Sequence, residues 1–419
     1  MARVLLLVPS ATYRAKDFLD AARALGVEVV IGTEEAHGLP DLMGARALEV
    51  PLHDPRRAAR AIVAHDDIAP LDAVIAVDDV GTVVAAEASA LLGLRHNPPD
   101  AVAAAHDKLT LRARLAAFEV PQPVFSTLAA GAEAEQVVEV VAAVGLPCVI
   151  KPATLSGSQG VLRADTPDEA VAAAARVRRI ATAAGVDPEA PLLVERFVPG
   201  PEVAVEGLVV AGELRALAVF DKPDPMDGPA FEETIYVTPS RLKPKDLDAA
   251  LAATSSAVAA LRLVDGPIHA EVRVHEGRAV VIEVAARTIG GLCARALSFS
   301  TGRSLEELVI AHALGRALGE TDAIGASGVL MVPIPRAGTL VEVAGQSEAR
   351  AVPGITDIQI TIAPGRVVTP VPEGNRYLGF VFARDSTPAR AERALRRAWA
   401  CLDVRVAGGS DGDARAQTL

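Results

Sequence analysis

Two glutamates stand in a stretch of sequence that otherwise predicts an apolar β-hairpin. HAEVRV and AVVIEVAAR alternate as strands do, the turn between them lies around Gly277, and the acids are Glu271 and Glu283. If the turn is symmetric about Gly277, Glu271 faces Glu283 and His269 faces Ala285. Directly opposed side chains have Cβ atoms about 4.5–5.5 Å apart, where like charges repel. A hard cation between the two carboxylates would relieve that repulsion.

The same hairpin admits a second interpretation. Both acids could point to solvent from the wet face of a sheet, with Arg273 and Arg287 neutralising them. A register slip of one residue would also send the two carboxylates to opposite faces, because side chains alternate along a strand. The hairpin alone therefore leaves a metal site and a solvated face as equal alternatives.

Two neighbouring segments have the composition of a phosphate site. The apolar strand PCVIKP places Lys151 at its end, and a buried ammonium needs an anionic partner. The loop that follows, Thr154-Leu-Ser-Gly-Ser-Gln-Gly160, is rich in serine and glycine, so its N–H groups and hydroxyls can approach phosphate oxygens. It is not a Walker A loop, because no Gly-Lys-Ser/Thr follows and no helix opens there. A flexible turn without a ligand is the alternative.

Taken in order along the chain, these features resemble the ATP-grasp superfamily over roughly residues 100–315. Lys108 opens a helix after His106-Asp107, Lys151 ends a strand, and the glycine loop, VERFVPGPEVAVEG and the paired acids with Arg287 follow. The stretches FDKPDPMDGPAFEETIYVTPSRL (220–242) and PEGNRYLGFVFAR (372–384) resemble the branch that contains L-amino-acid ligases and related carboxylate–amine ligases.

The resemblance implies a nucleotide site. Its ATP-binding residues would be Lys108, Lys151, Ser156, Gly157, Ser158, Gly160, Glu195, Arg196, Phe197, Val198 and Glu202. The glycine loop would close over the β- and γ-phosphates, and Lys151 would reach the α-phosphate and the adenine edge. The backbone of Glu195 to Val198 would pair with adenine, and Glu202 would bind the ribose hydroxyls.

The resemblance also implies the metal and catalytic residues. Glu271 and Glu283 would ligate Mg²⁺, for which Mn²⁺ can substitute, and Lys151 and Arg287 would stabilise the transferring phosphate. Mg²⁺ prefers carboxylate, water and phosphate oxygens, which suits one or two acids. One position departs from the family: relatives carry E-x-N-x-R, whereas Ala285 stands here in place of the asparagine. Either the second metal ion is held more loosely, or catalysis is impaired.

A substrate pocket is expected beside this site. Its candidate residues are Phe231, Glu232, Glu233, Tyr236, His269, Gly290 and Gly291. Relatives often have Gly-His where this chain has Ile235-Tyr236, which indicates an altered pocket. Gly290 and Gly291 leave space beside an acyl phosphate, which suggests a substrate that is not tiny. Alternatively, 220–242 is only a covering loop and His269 is structural.

The implied reaction is an ATP-dependent ligation of a carboxylate to an amine. It would form an amide, or dipeptide-like, bond through an acyl phosphate and release ADP and phosphate, with small-molecule substrates such as amino acids. Two alternatives are a bicarbonate-activating enzyme of the biotin carboxylase or purine-synthesis type and a non-catalytic ATP-binding protein. The resemblance further suggests a homodimer.

The predicted strands and helices that carry these residues indicate a fold of the α/β and α+β classes. Residues 1–100 alternate strands and helices, which indicates an open parallel α/β domain, with Asp78 and Asp79 after one of its strands. Residues 101–316 would form a two-lobed ATP-grasp domain, with lobes at about 101–190 and 191–316. Residues 317–406 predict a small α+β cap, and 407–419 a disordered tail.

Composition excludes several classes of protein. Of the 419 residues, 51% are hydrophobic, which excludes a disordered chain, and the net charge of −12 argues against binding to nucleic acid or an anionic membrane. Cys148, Cys293 and Cys401 lack the spacing of a metal or redox site, as expected in a reducing cytoplasm. No apolar run approaches the length of a membrane span, so we expect a soluble cytoplasmic protein.

Overall fold

The N-terminal part of the chain forms a small parallel sheet. The computed structural model describes residues 1–10, 12–34, 46–297, 299, 302–322 and 324–408. Its first elements are β1 (Arg3–Leu7), α1 (Ala15–Ala24), β2 (Glu28–Thr33), β3 (Arg46–Glu49), α2 (Pro55–Asp66), β4 (Ala73–Ala76) and α3 (Thr82–Leu92). The strand order is β3-β2-β1-β4, and all pairs are parallel. The apolar run of β1 is buried on both faces, as parallel sheets require. The predicted open α/β arrangement is confirmed, although β3 was not predicted.

A break between two helices connects this sheet to the next unit. The sequence predicted that Lys108 opens a helix, and the structure has that helix as α5 (Lys108–Ala117), preceded by α4 (Pro99–His106). Asp107 between them is extended, and its carboxylate caps α5 by accepting a hydrogen bond from the Thr110 N–H at 2.7 Å. The break places Lys108 in the first turn of α5.

The next unit is an antiparallel sheet covered by two helices. Its elements are β5 (Phe125–Leu128), α6 (Ala134–Val144), β6 (Cys148–Pro152), β7 (Leu162–Ala164), α7 (Pro167–Ala183) and β8 (Leu192–Arg196). The strand order is β5-β8-β6-β7. The apolar faces of α6 and α7 bury valine and alanine side chains against β6 and β8, and this packing fixes the end of β6, where Lys151 lies.

A larger sheet spans the rest of the chain. Its elements and those packed around it are β9 (Glu202–Val210), β10 (Glu213–Asp221), β11 (Ile235–Thr238), α8 (Pro244–Leu261), β12 (Asp265–His275), β13 (Arg278–Ala285), α9 (Leu305–Ala313), β14 (Ala326–Val332), β15 (Gly338–Ala344), α10 (Gln346–Arg350), β16 (Ile355–Ile360), β17 (Val367–Val368), β18 (Gly379–Asp385), α11 (Pro388–Cys401) and β19 (Asp403–Ala407). Eight of these strands form one sheet in the order β13-β12-β9-β10-β11-β14-β18-β16.

This sheet joins the predicted second lobe to the predicted cap. β9 to β13 contribute five of its eight strands, whereas β14, β16 and β18 come from the C-terminal region, which also forms the three-stranded sheet β17-β15-β19. The mixed architecture is the one predicted. β19 runs to Ala407, one residue into the predicted tail, and residues from 409 onward lie outside the described part. None of the described helices combines the length and the apolarity that a membrane crossing requires.

Candidate active site

The two acids of the β12–β13 hairpin lie opposite each other, as predicted. Glu271 pairs with Glu283 and His269 with Ala285. The predicted turn is wrong in detail, because His275 pairs with Arg278 and the register near the turn therefore differs by one residue. A β-bulge after Glu271 restores the predicted pairing. Opposed residues share a face, so both carboxylates point to the same side of the sheet, and the predicted alternative of opposite faces is wrong.

Both carboxylates line one large cavity. Its volume is about 980 Å³, and Lys151 lines it as well. The N-terminal unit contributes the segments that follow β1 and β4, which carry Tyr13 and Asp79, and the C-terminal region contributes a loop that carries Arg376. All three parts of the chain therefore meet around this cavity. The second interpretation of the hairpin, in which Arg273 and Arg287 neutralise the two acids on a solvated face, is wrong. Arg273 pairs with Glu202, and Arg287 pairs with Asp79.

A buried ion triad fixes the floor of the cavity near the first lobe. The Glu195 carboxylate accepts hydrogen bonds from Arg112 Nε at 2.5 Å and from Lys151 Nζ at 2.8 Å. Burial acts to raise the pKa of Glu195, but the two cations outweigh it and lower the pKa to about 2. Burial lowers the pKa of Lys151, and Glu195 opposes that change. The Lys151 ammonium thus has the anionic partner that its burial demands.

Lys108 connects the two lobes at the cavity wall. Its ammonium donates a hydrogen bond to the Leu155 carbonyl at 2.7 Å and lies 3.5 Å from the Glu283 carboxylate. Leu155 belongs to the serine- and glycine-rich loop, so one side chain contacts both the loop and the acid of β13.

Lys222, just after β10, stands at the centre of a cluster of three carboxylates. Its Nζ lies 2.6 Å from Glu202, 2.6 Å from Glu233 and 2.9 Å from Glu271. Burial acts to lower the pKa of Lys222, but the three acids raise it well above its ordinary value. Sequence reasoning missed this residue. The available signal was a lysine at the end of an apolar strand, the same signal that identified Lys151.

A second polar pair lies on the same face of the sheet. Glu206 binds the His269 imidazole through one oxygen and accepts the Ile289 N–H at 2.9 Å through the other. Burial acts to lower the pKa of His269, but Glu206 and Glu271 raise it to about 9, so the imidazole is cationic at neutral pH. Sequence reasoning missed Glu206, although Glu202 and Glu206 sit four residues apart in the apolar strand EVAVEGLVV.

Arg287 is held by an acid from the N-terminal sheet. Its Nε lies 3.3 Å from Asp79, and the other oxygen of Asp79 lies 3.1 Å from His106 Nδ1. Burial acts to raise the pKa of Asp79, but hydrogen bonding with His106 and the charge of Arg287 lower it. From the sequence, Asp79 was placed only after a strand of the N-terminal domain. The structure shows that it fixes the arginine predicted to act in catalysis.

Comparison with protein families finds three models that match successive parts of the chain. The ATP-grasp N-terminal domain matches residues 19–96, the ATP-grasp domain matches residues 144–296, and the L-amino acid ligase C-terminal domain 2 matches residues 330–407. The chain belongs to the ATP-grasp superfamily.

Individual relatives of this ATP-grasp chain agree with that assignment. An uncharacterized protein of Sinorhizobium fredii, y4rH, is 27% identical and covers 98% of this chain and 84% of its own length. L-amino acid ligase from Bacillus licheniformis has a TM-score of 0.80 at 23% identity, over 97% of this chain and 99% of that one. N5-carboxyaminoimidazole ribonucleotide synthetase from Thermotoga maritima has a TM-score of 0.70 at 18% identity, over 96% and 99% of the two chains. Solved structures of the same fold include complexes with ATP and ADP. The predicted ATP-grasp ligase architecture of the L-amino-acid-ligase branch is confirmed.

The segment expected to bind adenine in this ATP-grasp fold has two of its N–H groups in use. Arg196 N–H donates to the Val124 carbonyl and Phe197 N–H to the Pro147 carbonyl, each at 2.8 Å. Within the described residues no such backbone bond engages the Val198 N–H, which is compatible with the adenine contact predicted for this segment. The carboxylate of Glu202, predicted to bind ribose, is shared between Lys222 and Arg273. The binding of adenine by residues 195–198 and that of ribose by Glu202 stay predictions.

The serine- and glycine-rich loop of the ATP-grasp site is bound to the C-terminal cap. Gly160 N–H donates to the Pro372 carbonyl at 2.9 Å, and Gln159 Nε2 donates to the Glu373 carbonyl at 2.8 Å. Gly157, Ser158 and Gly160 all have positive φ, at 63°, 58° and 71°. Two of the three are glycines, which suits that conformation. The cap loop thus helps to hold this loop over the cavity.

Most of the predicted substrate residues line the cavity. The lining includes Phe231, Glu233, Tyr236, His269, Gly290 and Gly291. It does not include Glu232, which is half-buried, has one carboxyl oxygen buried without a hydrogen-bond partner, and has a pKa that burial raises to about 7. The Tyr236 hydroxyl donates a hydrogen bond to Glu233, so the residue that departs from the family pattern is tied to the Lys222 cluster.

The carboxylates present fit the Mg²⁺ that the ATP-grasp fold implies. Glu271 and Glu283 offer oxygen ligands from opposed positions on one face, and oxygens are the ligands Mg²⁺ prefers. Oxygens of Glu202, Glu233 and Glu271 lie within 4.8 Å of one another, but the Lys222 ammonium already lies among them. Ala285, which lies opposite His269, offers no side-chain ligand.

Proposed function

We propose that this protein is an ATP-dependent ligase that joins a carboxylate to an amine through an acyl phosphate. The observation that supports it is the opposed pair Glu271 and Glu283, which share one cavity with Lys108, Lys151 and Arg287. Acids that can hold a metal and cations that can hold phosphates therefore converge on one space. Cofactor and residue roles at this site are part of the proposal.

The chemistry follows from where these charges lie. An oxygen of the substrate carboxylate attacks the γ-phosphorus, the bond to the β,γ-bridging oxygen breaks, and ADP leaves. The amine then attacks the acyl carbon, phosphate leaves, and a proton is lost from nitrogen. Lys151 and Arg287 stabilise the charge on the transferring phosphoryl group, since fixed charges in a buried site lower such barriers. Mg²⁺ held by Glu271 and Glu283 would neutralise part of the triphosphate charge.

Protection of the acyl phosphate requires a closed site. An acyl phosphate reacts readily with water, so catalysis of amide formation depends on excluding it. The loop from Thr154 to Gly160 lies at the cavity and is hydrogen-bonded to the cap at Pro372 and Glu373. We infer that this contact keeps the loop in place while the intermediate exists.

One observation favours a different function. Ala285 removes a ligand that relatives carry, which would suit a protein that binds ATP without turnover. The bicarbonate-activating reaction is a further alternative, because N5-carboxyaminoimidazole ribonucleotide synthetase shares the fold. The match of residues 330–407 to the L-amino acid ligase C-terminal domain 2 favours the amide-forming reaction over both.

The test is a screen of phosphate release over pairs of amino acids and amines, with detection of products by mass. We expect release that requires both substrates and is abolished by Glu283→Ala or Arg287→Ala. Glu276→Gln is the matched control, since Glu276 is an exposed acid in the turn of the same hairpin. Turnover that persists in both variants contradicts the proposal. Bicarbonate-dependent ATP cleavage without amino acid supports the carboxylating alternative, and nucleotide binding without turnover supports the non-catalytic one.

A further inference from the structure

The cap contributes an arginine to the cavity wall that pairs with no acid. Four arginines line the cavity, and two of them pair with acids: Arg273 with Glu202 and Arg287 with Asp79. Within the described residues, neither Arg196 nor Arg376 forms a side-chain hydrogen bond or an ion pair. Arg196 lies at the end of β8, in the segment expected to bind adenine, whereas Arg376 comes from the cap. Both arginines are exposed to solvent where they line the cavity, so each guanidinium is accessible to an anionic ligand.

The loop that carries Arg376 is held on two sides. Glu373 forms an ion pair with Arg176 at 2.7 Å, and the Pro372 carbonyl accepts the Gly160 N–H. On its other side, Gly374 N–H donates to the Pro370 carbonyl at 2.8 Å. A Cβ at Gly374 would come within 2.1 Å of the Thr369 carbonyl oxygen, so only glycine fits this turn. The backbone next to Arg376 is therefore fixed relative to both the cap and the phosphate loop.

Two tyrosines, Tyr13 and Tyr377, line the cavity together with Arg376. Its neighbour Tyr377 is buried, and the Tyr377 hydroxyl has no hydrogen-bond partner. The rings of Tyr377 and Tyr13 both pack on Phe380, with centroid distances of 6.3 and 5.6 Å. Burial, helped by Cys293, raises the pKa of Tyr13 to about 12, and the charge of Arg376 opposes that rise. Tyr13 and Arg376 therefore line the same cavity where the N-terminal unit meets the cap.

We propose that Arg376 binds the free carboxylate of the amine substrate, so that this substrate is an amino acid and not a neutral amine. The inference rests on the proposed ligase function. Amide formation consumes the carboxyl of one substrate, but the carboxylate of an amino-acid acceptor stays ionised throughout and needs a cation of its own. Lys151 and Arg287 already pair with Glu195 and Asp79 and are assigned to phosphate. A guanidinium matches a carboxylate with two parallel hydrogen bonds.

The experiment compares an amino-acid acceptor with its own amide. Alanine and alaninamide differ only in the group that Arg376 would bind, and the donor is taken from the product screen. Arg376→Met should raise the KM for alanine about 10- to 100-fold, as expected for loss of a hydrogen-bonded charge pair. The KM for alaninamide and for ATP should not change. Arg376→Lys should recover part of the affinity for alanine, and Arg366→Met is the matched control, since Arg366 is exposed on the cap outside the cavity lining.

Two results would overturn the assignment. An unchanged KM for alanine shows that Arg376 does not bind the acceptor carboxylate. An increase in the KM for ATP that is the same with both acceptors shows that Arg376 binds phosphate instead. Calorimetric binding of alanine and alaninamide in the presence of a non-hydrolysable ATP analogue separates this inference from the proposed function. That measurement tests Arg376 even if the wild-type protein forms no amide with any pair, and equal loss or no loss for both ligands rejects it.

Discussion

Glu271 and Glu283 lie opposite each other on one face of the β12–β13 pair, yet each is held by a different lysine. Lys222 Nζ lies 2.9 Å from Glu271, and Lys108 Nζ lies 3.5 Å from Glu283. The repulsion expected between opposed carboxylates is therefore relieved by two ammonium groups that come from separate parts of the chain. In the proposed nucleotide complex, a metal ion would help to neutralise the two acids, and Lys108, which lines the cavity, would be free to contact the triphosphate.

Replacement of Lys222 by methionine should convert its surroundings into a site that depends on divalent metal. Three carboxylates would lose their common partner, and removing one member of a buried ion pair costs roughly 3–5 kcal/mol. The oxygens of Glu202, Glu233 and Glu271 lie within 4.8 Å of one another, close enough to share one ion. We expect a lower Tm in EDTA for Lys222→Met, and a larger increase on adding Mg²⁺ or Mn²⁺ than in the wild type.

The control for this prediction is Lys243→Met, which removes an ammonium from an exposed position before α8. Its Tm and its response to metal should match those of the wild type. If Lys222→Met unfolds at the wild-type temperature in EDTA, Lys222 does not neutralise the cluster.

Replacement of Asp79 by asparagine should weaken catalysis without weakening ATP binding. Asp79 lies 3.3 Å from Arg287 Nε and 3.1 Å from His106. Loss of its charge leaves Arg287 without its partner, and small displacements of a catalytic group lower the rate strongly. We expect kcat to fall about 10- to 100-fold, with a KM for ATP close to that of the wild type. Steady-state kinetics of phosphate release measures both quantities.

Asp67→Asn removes the same charge from an exposed position of the same sheet unit and should leave kcat unchanged. A higher KM for ATP in Asp79→Asn, with kcat preserved, would show that Asp79 contributes to nucleotide binding and not to the orientation of Arg287.

The Glu195 triad should make stability depend on pH in the acid range. The pKa of Glu195 is about 2 in the folded protein, below its ordinary value of 4.5, because Arg112 and Lys151 outweigh burial. A lowered pKa stabilises the fold above pH 4.5, and that contribution is lost as pH falls from 4.5 towards 2. Its size is on the order of 3 kcal/mol. In Glu195→Gln, the free energy of unfolding should vary less with pH across this window, as measured by urea denaturation at each pH.

A variant that unfolds with the same dependence on pH as the wild type between pH 4.5 and 2 would contradict this role. Glu189→Gln is the control, because Glu189 is an exposed acid shortly before β8 and should leave the profile unchanged.

In the β12–β13 hairpin, the sequence predicted the strands and the pairing of the two acids correctly but not the register at the turn. The alternation of apolar residues predicted the two strands, and the assumed symmetry about Gly277 predicted that Glu271 faces Glu283. The turn in fact has a different register, and a bulge after Glu271 brings the pairing back to the predicted one. The prediction was correct at the site only because the bulge compensates for the error at the turn, and nothing in the alternation of the strand indicates a bulge.

The missed partners were those that only the tertiary fold brings together. Arg287 and Asp79 are separated by 208 positions, and no local pattern connects them. Lys222 directly follows an apolar strand and Glu206 lies within another, and the partners of both depend on which strands are neighbours in the sheet. Lys108, in contrast, was identified from the sequence, because its position after Asp107 is a local signal for the start of a helix.

The two glycines after Arg287 should respond differently to substitution. A Cβ at Gly290 would have no atom within 4 Å, and its φ lies outside the left-handed region, so Gly290→Val should fold normally. The added side chain would project into the cavity that Gly290 lines and should raise the KM for large carboxylate substrates more than for small ones, with the KM for ATP unchanged. Gly291 has a φ of 63°, and a Cβ there would lie 2.8 Å from Phe380 Cε1, so Gly291→Ala should lower the Tm. Kinetics over substrates of increasing size, together with thermal unfolding of both variants, tests this. An unchanged ranking of substrates in Gly290→Val would place the substrate side chain elsewhere in the cavity.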